Sequence, residues 1–363
     1  MKIPASLLLR AACGLFFTAV MFGQVAETAA PKGNPAPQLA PADLAWLNVR
    51  AAMFTPDFSK QLPAEPAARK AVLAEHGARF AAAADRAREF YTKFPDDPHA
   101  EEAKTQEVQA LINAARTGDA TAEGRLNTTV EAYRADKKVS NKVKVQTVAA
   151  HAFNQAMRGQ KTKAERFAAI ENVARNLAAD FPDQPQGYES LMTIAAADED
   201  EGKARKIAEE LLRSPSPAAV KENARALLGR MDLMGKPIAA EFDGADAKKA
   251  KVAAKAGRVT LIYTWASWSP GSLALAAKLK QRGVNANVVA LNLDDDPKAA
   301  EALAAKEGLP GTIVYDERGR EGALAQRLKV KSAPQVIIVD AQGVIRDVRG
   351  EVDLEKKLTQ LGL

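Results

Sequence analysis

The segment "VTLIYTWASWSPGS", residues 259–272, decides the fold of the C-terminal part of this 363-residue chain. Its first seven residues are β-branched, aliphatic or aromatic, which is typical of a strand buried on both faces of a sheet. Ser269 and Pro270 come next, and serine before proline is a favoured helix start because proline fits the first helical position. The segment therefore predicts a buried strand that leads directly into a helix.

From Gly235 onwards, strand-like and helix-like runs alternate, as they do in βαβ folds. Helices are predicted over residues 270–282, 297–307, 323–328 and 353–361. Further strands are predicted in "ANVVALNL", "TIVYD", "QVIIVD" and "VIRDVRG". Residues 235–363 are therefore predicted to form an α/β domain.

Three segments of this domain resemble the TlpA/ResA-like thioredoxin-fold family, within the AhpC/TSA-thioredoxin superfamily. They are "GKPIAAEF" from residue 235, "LIYTWASWSPGS" from residue 261 and "KVKSAPQVIIVDAQGVIRDVRG" from residue 329. The segments follow the family's order, and the domain is about a third of the chain. The resemblance implies a thioredoxin fold in which the Ala333–Pro334 bond is cis.

The family's activity is thiol-disulfide exchange, but the positions of its two redox cysteines hold Ser269 and Ser272 in this chain. A hydroxyl cannot take part in that exchange. The position of a glutamate that helps proton transfer in the family is Leu275, and the only cysteine of the sequence is Cys13. We therefore expect a degenerate, redox-inactive site without a catalytic residue.

Ser269 has two other possible roles, as a hydroxyl nucleophile or as a helix N-cap. A nucleophilic serine needs a base within hydrogen-bond reach. The last histidine of the sequence is His151, so the usual base is missing from the domain. The start of a helix at Pro270 favours the cap, with the hydroxyl accepting a backbone N–H.

Other parts of the family's peptide-binding surface are retained. Trp268 lies beside the degenerate site, and the resemblance implies that the loop at Ala333 and Pro334 offers backbone groups to an extended peptide. The alternative is that Trp265 and Trp268 pack in the core or at its rim. We predict that Trp268, Ala333 and Pro334 bind a protein or peptide.

Residues 42–232 show a helical pattern in which an apolar stripe is repeated. The first stripe consists of Phe80, Ala84, Ala87, Tyr91 and Phe94, and Phe94 begins the sequence Phe-Pro-Asp-Asp-Pro. The second ends in Phe-Pro-Asp-Gln-Pro and consists of Phe167, Ile170, Ala174, Leu177 and Phe181. A weaker copy puts Pro215 33 residues after Pro182, which is close to the tetratricopeptide repeat length of about 34. The pattern predicts an all-α, tetratricopeptide-like array of helical hairpins, with a plain helical bundle as the alternative.

The first 30 residues have the features of an export signal. Lys2 and Arg10 precede an apolar stretch, residues 11–23, which is short for a membrane span, and small residues follow up to Ala30. Cleavage near Ala30 is predicted, with retention as an uncleaved anchor as the alternative. Proline-rich residues 31–41 form a linker. The mature protein is predicted to be periplasmic and not bound to the membrane.

The composition argues against several other classes of function. The net charge is +6, and lysine and arginine are interspersed with acids, so no basic stripe for nucleic acid is present. His76, His99 and His151 are scattered, which predicts surface or capping roles and no metal site. No glycine-rich phosphate loop occurs, and we predict no cofactor.

The sequence therefore predicts an exported, redox-inactive thioredoxin-fold protein that binds a protein or extended peptide in the cell envelope. One alternative is an oxidoreductase or antioxidant that works with the thiols of a partner. Another is that the helical array does all the specific work and the C-terminal domain is a stable cap. The sequence specifies neither the partner nor the oligomeric state.

Overall fold

The computed structural model describes residues 39–54, 62–159, 162–238, 241–243, 249–251, 258–315 and 318–363. The predicted export signal and all but the end of the proline-rich linker lie outside the described residues. The chain divides into two compact units, Met1–Gly187 and Tyr188–Leu363. No helix within the described ranges is both long and apolar enough to cross a bilayer.

The first unit is built from α-helices that pack on their neighbours in sequence. They are α1 (Pro41–Met53), α2 (Pro66–Lys93), α3 (Ala100–Arg116), α4 (Ala120–Ala135), α5 (Asn141–Met157) and α6 (Lys163–Asp180). Each is in contact with the next, and alanine, valine and leucine side chains form most of the core. The predicted all-α class of this region is confirmed, and its likeness to tetratricopeptide repeats stays a prediction.

The two Phe-Pro-Asp sequences end their helices with the same backbone geometry. Phe94 has φ −128° and ψ 65°, and Phe181 has φ −131° and ψ 63°. Their N–H groups donate to the carbonyls of Phe90 (2.8 Å) and Leu177 (2.9 Å). The following proline stops each helix, because it has no N–H and disfavours a helical conformation in the residue before it. The two Phe-Pro-Asp sequences therefore end their helices in the same way.

The second unit begins with helices and continues into a mixed sheet. Its helices and strands are α7 (Gln186–Ala197), α8 (Glu201–Arg213), α9 (Ala218–Met231), β1 (Glu241–Asp243), β2 (Lys249–Lys251), β3 (Thr260–Trp265), α10 (Pro270–Arg282), β4 (Asn287–Asn292), α11 (Pro297–Glu307), β5 (Thr312–Val314), a 3₁₀ turn (Gly319–Glu321), α12 (Ala323–Leu328), β6 (Val336–Val339), β7 (Ile345–Asp347) and α13 (Leu354–Gln360). The predicted α/β thioredoxin fold is confirmed.

The five-stranded sheet has the order β5-β4-β3-β6-β7. β3 is central, pairs in parallel with β4 and antiparallel with β6, and has every residue buried, as its apolar sequence predicts. Among the described residues, β1 pairs antiparallel with β2 in a separate two-stranded sheet. The carboxyl end of β3, which leads into Ser269 and α10, therefore lies between β4 and β6.

The local sequence signals place the helices of this unit well. α10, α11 and α12 have the predicted bounds, while α13 and the strands of the five-stranded sheet are slightly shorter than predicted. Pro270 and Pro297 occupy first helical positions, and Gly283 and Gly308 follow their helices with φ of 63° and 59°. That left-handed geometry costs glycine nothing, so these ends are encoded locally.

A buried arginine joins the helices of the second unit to its sheet. Arg349, which follows β7, is 6% exposed, and its Nη2 donates to the carbonyls of Ala195 (3.1 Å) and Ala196 (3.2 Å) and to that of Asp198. These carbonyls lie at the end of α7, where a helix has unpaired acceptors and partial negative charge. The unit that holds the sheet thus includes α7, although the helical sequence pattern continues to residue 232.

A second buried arginine makes a similar connection from α9. Arg230 is 5% exposed and donates through Nη1 (2.6 Å) and Nη2 (3.1 Å) to the side-chain oxygen of Gln335, in the amide orientation that pairs donors with acceptors.

Two carboxylates also connect elements of this unit. Glu222 of α9 and Lys331 form an ion pair. Burial raises the pKa of Glu351, whose Oε2 accepts the Val336 N–H at 2.7 Å.

Candidate functional site

The segment 266–269 connects β3 to α10 and is fixed at both ends. Trp265 ends β3 and is fully buried, and Ser269 is the residue before Pro270, the first residue of α10. Between them, Ser267 and Trp268 are exposed. The segment therefore presents a short exposed loop at the carboxyl end of the central strand.

Ser269 occupies the N-cap position, but the predicted capping hydrogen bond is wrong. Its side chain accepts no helix N–H, and its Oγ instead donates to the Ala333 carbonyl at 2.8 Å. The N–H of Ser272, at the third helical position, is already bonded to the carbonyl of Ser269 itself at 3.0 Å. Pro270 has no N–H to cap. The Ser269 hydroxyl is therefore available for its hydrogen bond to Ala333, 64 residues away in the sequence.

Ser272 is completely buried, and its hydroxyl is hydrogen-bonded in two directions. Its Oγ donates to the Ser269 carbonyl at 2.7 Å and accepts the Ala266 N–H at 3.2 Å. Both hydroxyls at the family's cysteine positions therefore hold backbone groups. A carbonyl is no base for either serine, and the three histidines of the sequence all lie in the first unit.

A buried carboxylate that the sequence interpretation missed supports the exposed loop. Asp294, just after β4, is 5% exposed and accepts hydrogen bonds from the Ser267 N–H (2.9 Å), the Ser267 Oγ (2.7 Å) and Asn292 Nδ2 (2.7 Å). The available signal was an aspartate directly after an apolar strand, because neighbouring parallel strands end at the same edge of the sheet. Asp294 fixes the loop on which Trp268 lies.

The two tryptophans of the segment have different environments. Trp265 belongs to the core and packs edge-on against Tyr315, with ring centroids 6.2 Å apart. Trp268 is 52% exposed, and the Arg320 guanidinium lies over its ring at 5.7 Å from the centroid. Burial raises the pKa of Tyr315 to about 12. Core packing thus describes Trp265, whereas Trp268 is an exposed aromatic side chain held by a cation–π contact.

The Ala333–Pro334 loop is tied to the same end of β3. Its bond is cis, as expected, and both residues are partly exposed. Thr264 donates from Oγ1 to the Ser332 carbonyl at 2.9 Å and accepts the Gln335 N–H at 2.8 Å. Together with the Ser269 bond to Ala333, these contacts place the loop beside the segment that carries Trp268. We call Ser267, Trp268, Arg320, Ala333 and Pro334 the Trp268 surface.

Within the described ranges, no group of three or more histidine, cysteine, aspartate or glutamate residues converges in a way that could hold a metal ion. A cleft of about 320 Å³ near β7 and α13 is lined by side chains of both charges. Two of the lining pairs are Lys357 with Asp347 at 2.6 Å and Lys356 with Asp353 at 3.8 Å.

The family of the α/β part follows from a direct match. Residues 235–361 match the family model described as Redoxin. The C-terminal part of the chain is a Redoxin domain. Its TlpA/ResA-like thioredoxin character is thereby supported, and the Redoxin domain holds Ser269 and Ser272 at the positions that the resemblance gives to cysteines.

Relatives of the Redoxin domain have names that refer to disulfide chemistry. The thiol:disulfide interchange protein DsbE of Allochromatium vinosum is 34% identical over 105 residues, 27% of this chain and 55% of that protein. The chain thus spans about half the length of this curated relative.

Solved structures similar to the Redoxin domain include a thiol-disulfide oxidoreductase from Bacteroides fragilis. It is 26% identical and covers 34% of this chain and 98% of its own, with a TM-score of 0.31. The thioredoxin domain of a thiol-disulfide oxidoreductase from Bacteroides vulgatus is 14% identical and covers 35% of this chain and 96% of its own, with a TM-score of 0.30.

Proposed function

We propose that this protein binds a protein segment through its Redoxin domain and does not catalyse thiol-disulfide exchange. The observation that carries the proposal is the state of the two hydroxyls at the redox positions. Ser269 and Ser272 both donate to backbone carbonyls, at 2.8 and 2.7 Å. Because the sequence has a single cysteine, one chain cannot alternate between a dithiol and an internal disulfide.

The Trp268 surface is the proposed binding site, and an extended protein segment is the proposed ligand. A half-exposed tryptophan offers a large apolar contact, and the adjoining Arg320 offers a donor for a backbone carbonyl or carboxylate. The Ala333 carbonyl already accepts from Ser269, but a carbonyl has a second lone pair for strand-like pairing. These features favour main-chain recognition next to an aromatic side chain.

The proposed place of action is the cell envelope, after export. The support is the sequence of residues 1–30, with its basic start and apolar stretch. Mass spectrometry of the protein from separated envelope and cytosol fractions of the native cell tests this directly. A new N-terminus near Ala30 is expected, and an intact Met1 on cytosolic protein contradicts it.

Insulin reduction separates the binding proposal from the oxidoreductase alternative. Insulin is reduced slowly by dithiothreitol alone. The full chain is expected to leave the rate of that reduction unchanged. The Ser269→Cys, Ser272→Cys variant is the matched control, since it returns two thiols to the same helix start. Turnover by the wild-type chain that Ser269→Ala abolishes would overturn the proposal.

Peptide selection tests the surface itself. Extended peptides selected against the full chain are expected to lose binding to Trp268→Ala and to retain it with Leu361→Ala. Leu361 is also an exposed apolar side chain of the Redoxin domain, at 44%, and serves as the matched control. Equal binding to both variants would show that the Trp268 surface is not the site.

A further inference from the structure

Helix α1 has two apolar faces, and only one of them is packed. Trp46 and Val49 are buried, with the Trp46 ring 5.4 Å from the Phe90 ring and stacked at 4.7 Å on His99. On the opposite side, Leu44 and Leu47 are exposed by about half. A helix that only covered a core would carry polar residues on this second face.

The exposed face continues as a stripe along the whole helix. Leu44, Leu47 and Ala51 are spaced as neighbours on one helix face, and Phe54, directly after the helix, is 78% exposed. Of the seven large hydrophobic side chains exposed in the described ranges, four lie within residues 39–54. Clustered exposure of this kind marks an interaction surface, whereas single exposed leucines do not.

The charges beside the stripe specify the geometry of a partner helix. Asp43 lies in the first turn of α1 and Arg50 in the last, both exposed. They lie along the same edge of the stripe, because their spacing of seven residues is close to two helical turns. A second copy of α1 lying antiparallel would bring Asp43 of each chain to Arg50 of the other.

The same antiparallel arrangement matches the apolar residues. Its centre lies between Trp46 and Leu47, so the two Leu47 side chains meet near the two-fold axis. Leu39 of one copy, exposed before the helix, then lies near Phe54 of the other. In a parallel two-fold arrangement the edge with Asp43 and Arg50 instead faces the opposite edge of the partner helix, which is uncharged, so these ion pairs cannot form. We propose that α1 forms the interface of a two-fold symmetric dimer of this chain, with the two helices antiparallel.

The oligomeric state of the full chain tests the interface. Sedimentation equilibrium is expected to give a dimer for the wild type and a monomer for Leu44→Glu, Leu47→Glu. Val143→Glu, at another exposed apolar position on α5, is the matched control and should remain a dimer. Circular dichroism should show that all three chains keep the same helix content. A monomeric wild type, or a double variant that still dimerises, overturns the proposal.

Charge exchange tests the antiparallel orientation. Asp43→Arg alone places two like charges at both ends of the interface and should weaken dimerisation by roughly tenfold or more. The variant Asp43→Arg, Arg50→Asp restores opposite charges and should dimerise as the wild type does. If the single variant dimerises as well as the wild type, or the double exchange fails to restore dimerisation, the antiparallel interface is wrong. Binding of the monomeric wild type to lipid vesicles through α1 would identify a membrane as the occupant.

Discussion

At the scale of single residues, the surroundings of Ser269 show which features a sequence predicts and which it does not. The position of Ser269 before a helix follows from local signals, since Pro270 and the preceding strand are both visible in the sequence. Its hydrogen-bond partner does not, because Ala333 is 64 residues away and comes close only through the pairing of β3 with β6. Asp294 was missed for the same reason, as its bonds from the Ser267 N–H and Oγ depend on the alignment of β4 beside β3.

The two serines are expected to differ in their contribution to stability. Ser269→Ala removes one donor to Ala333 and should lower the free energy of unfolding by about 1 kcal/mol. Ser272→Ala should cost about 2 kcal/mol, because it also deprives the buried Ala266 N–H of its acceptor. Urea unfolding followed by tryptophan fluorescence, in a Trp46→Phe background, measures both. An equal loss of unfolding free energy in the two variants would show that the Ala266 N–H bond to Ser272 does not add to stability.

At the scale of helices, ends that carry their own signal were predicted, and contacts between helices were not. Pro95 and Pro182 stop α2 and α6 through backbone geometry alone. By contrast, the end of α4 is held from other helices. Lys104 of α3 pairs with the Asp136 side chain, and Lys144 of α5 donates to the Asp136 carbonyl at 2.9 Å. No periodicity in the sequence indicates these two lysines.

The end of α4 predicts a pH-dependent stability difference. The hydrogen bond from Lys104 holds the pKa of Asp136 below its ordinary value. A lowered folded-state pKa means that the stabilisation is complete above the unfolded pKa, about 3.9, and is lost as the pH falls through the folded value. Asp136→Asn should therefore cost about 1 kcal/mol at pH 7 and close to nothing at the lowest pH where the chain still folds.

Unfolding by urea at several pH values measures that difference. Asp85→Asn is the matched control, because Asp85 is an exposed partner of Arg125 and should contribute little at any pH. A penalty for Asp136→Asn that is the same at neutral and acidic pH would exclude the ion pair as its cause.

At the scale of the whole molecule, the change in sequence pattern at Gly235 and the boundary of the compact unit at Tyr188 fall at different places. Periodicity distinguishes helices from strands, so it detects where the sheet begins. It contains no information about which helices pack on the sheet. The packing of these helices on the sheet involves Arg349 and Arg230. Their buried partners, Ala195 and Gln335, are remote in sequence.

The buried arginines predict where the chain can be divided. A fragment of residues 188–363 should unfold cooperatively, whereas residues 235–363 alone should be less stable because Arg349 loses its carbonyl partners. In the full chain, Arg349→Ala should cost about 2 to 4 kcal/mol, and the exposed Arg346→Ala less than 1 kcal/mol. Thermal and urea unfolding provide the comparison. Equal stability of the two fragments would show that α7 to α9 do not support the Redoxin domain.

The hydroxyls of Ser269 and Ser272 make the structure of the loop independent of the redox conditions around the protein. Thiolates react with peroxides and with disulfides such as oxidised glutathione, whereas alcohols do not. The bonds to Ala333 and Ser269 therefore persist whether the surroundings are oxidising or reducing. Two cysteines at these positions would alternate between a dithiol and a disulfide according to the redox potential. Serines have no such second state, so we expect the Trp268 surface to be the same across that range.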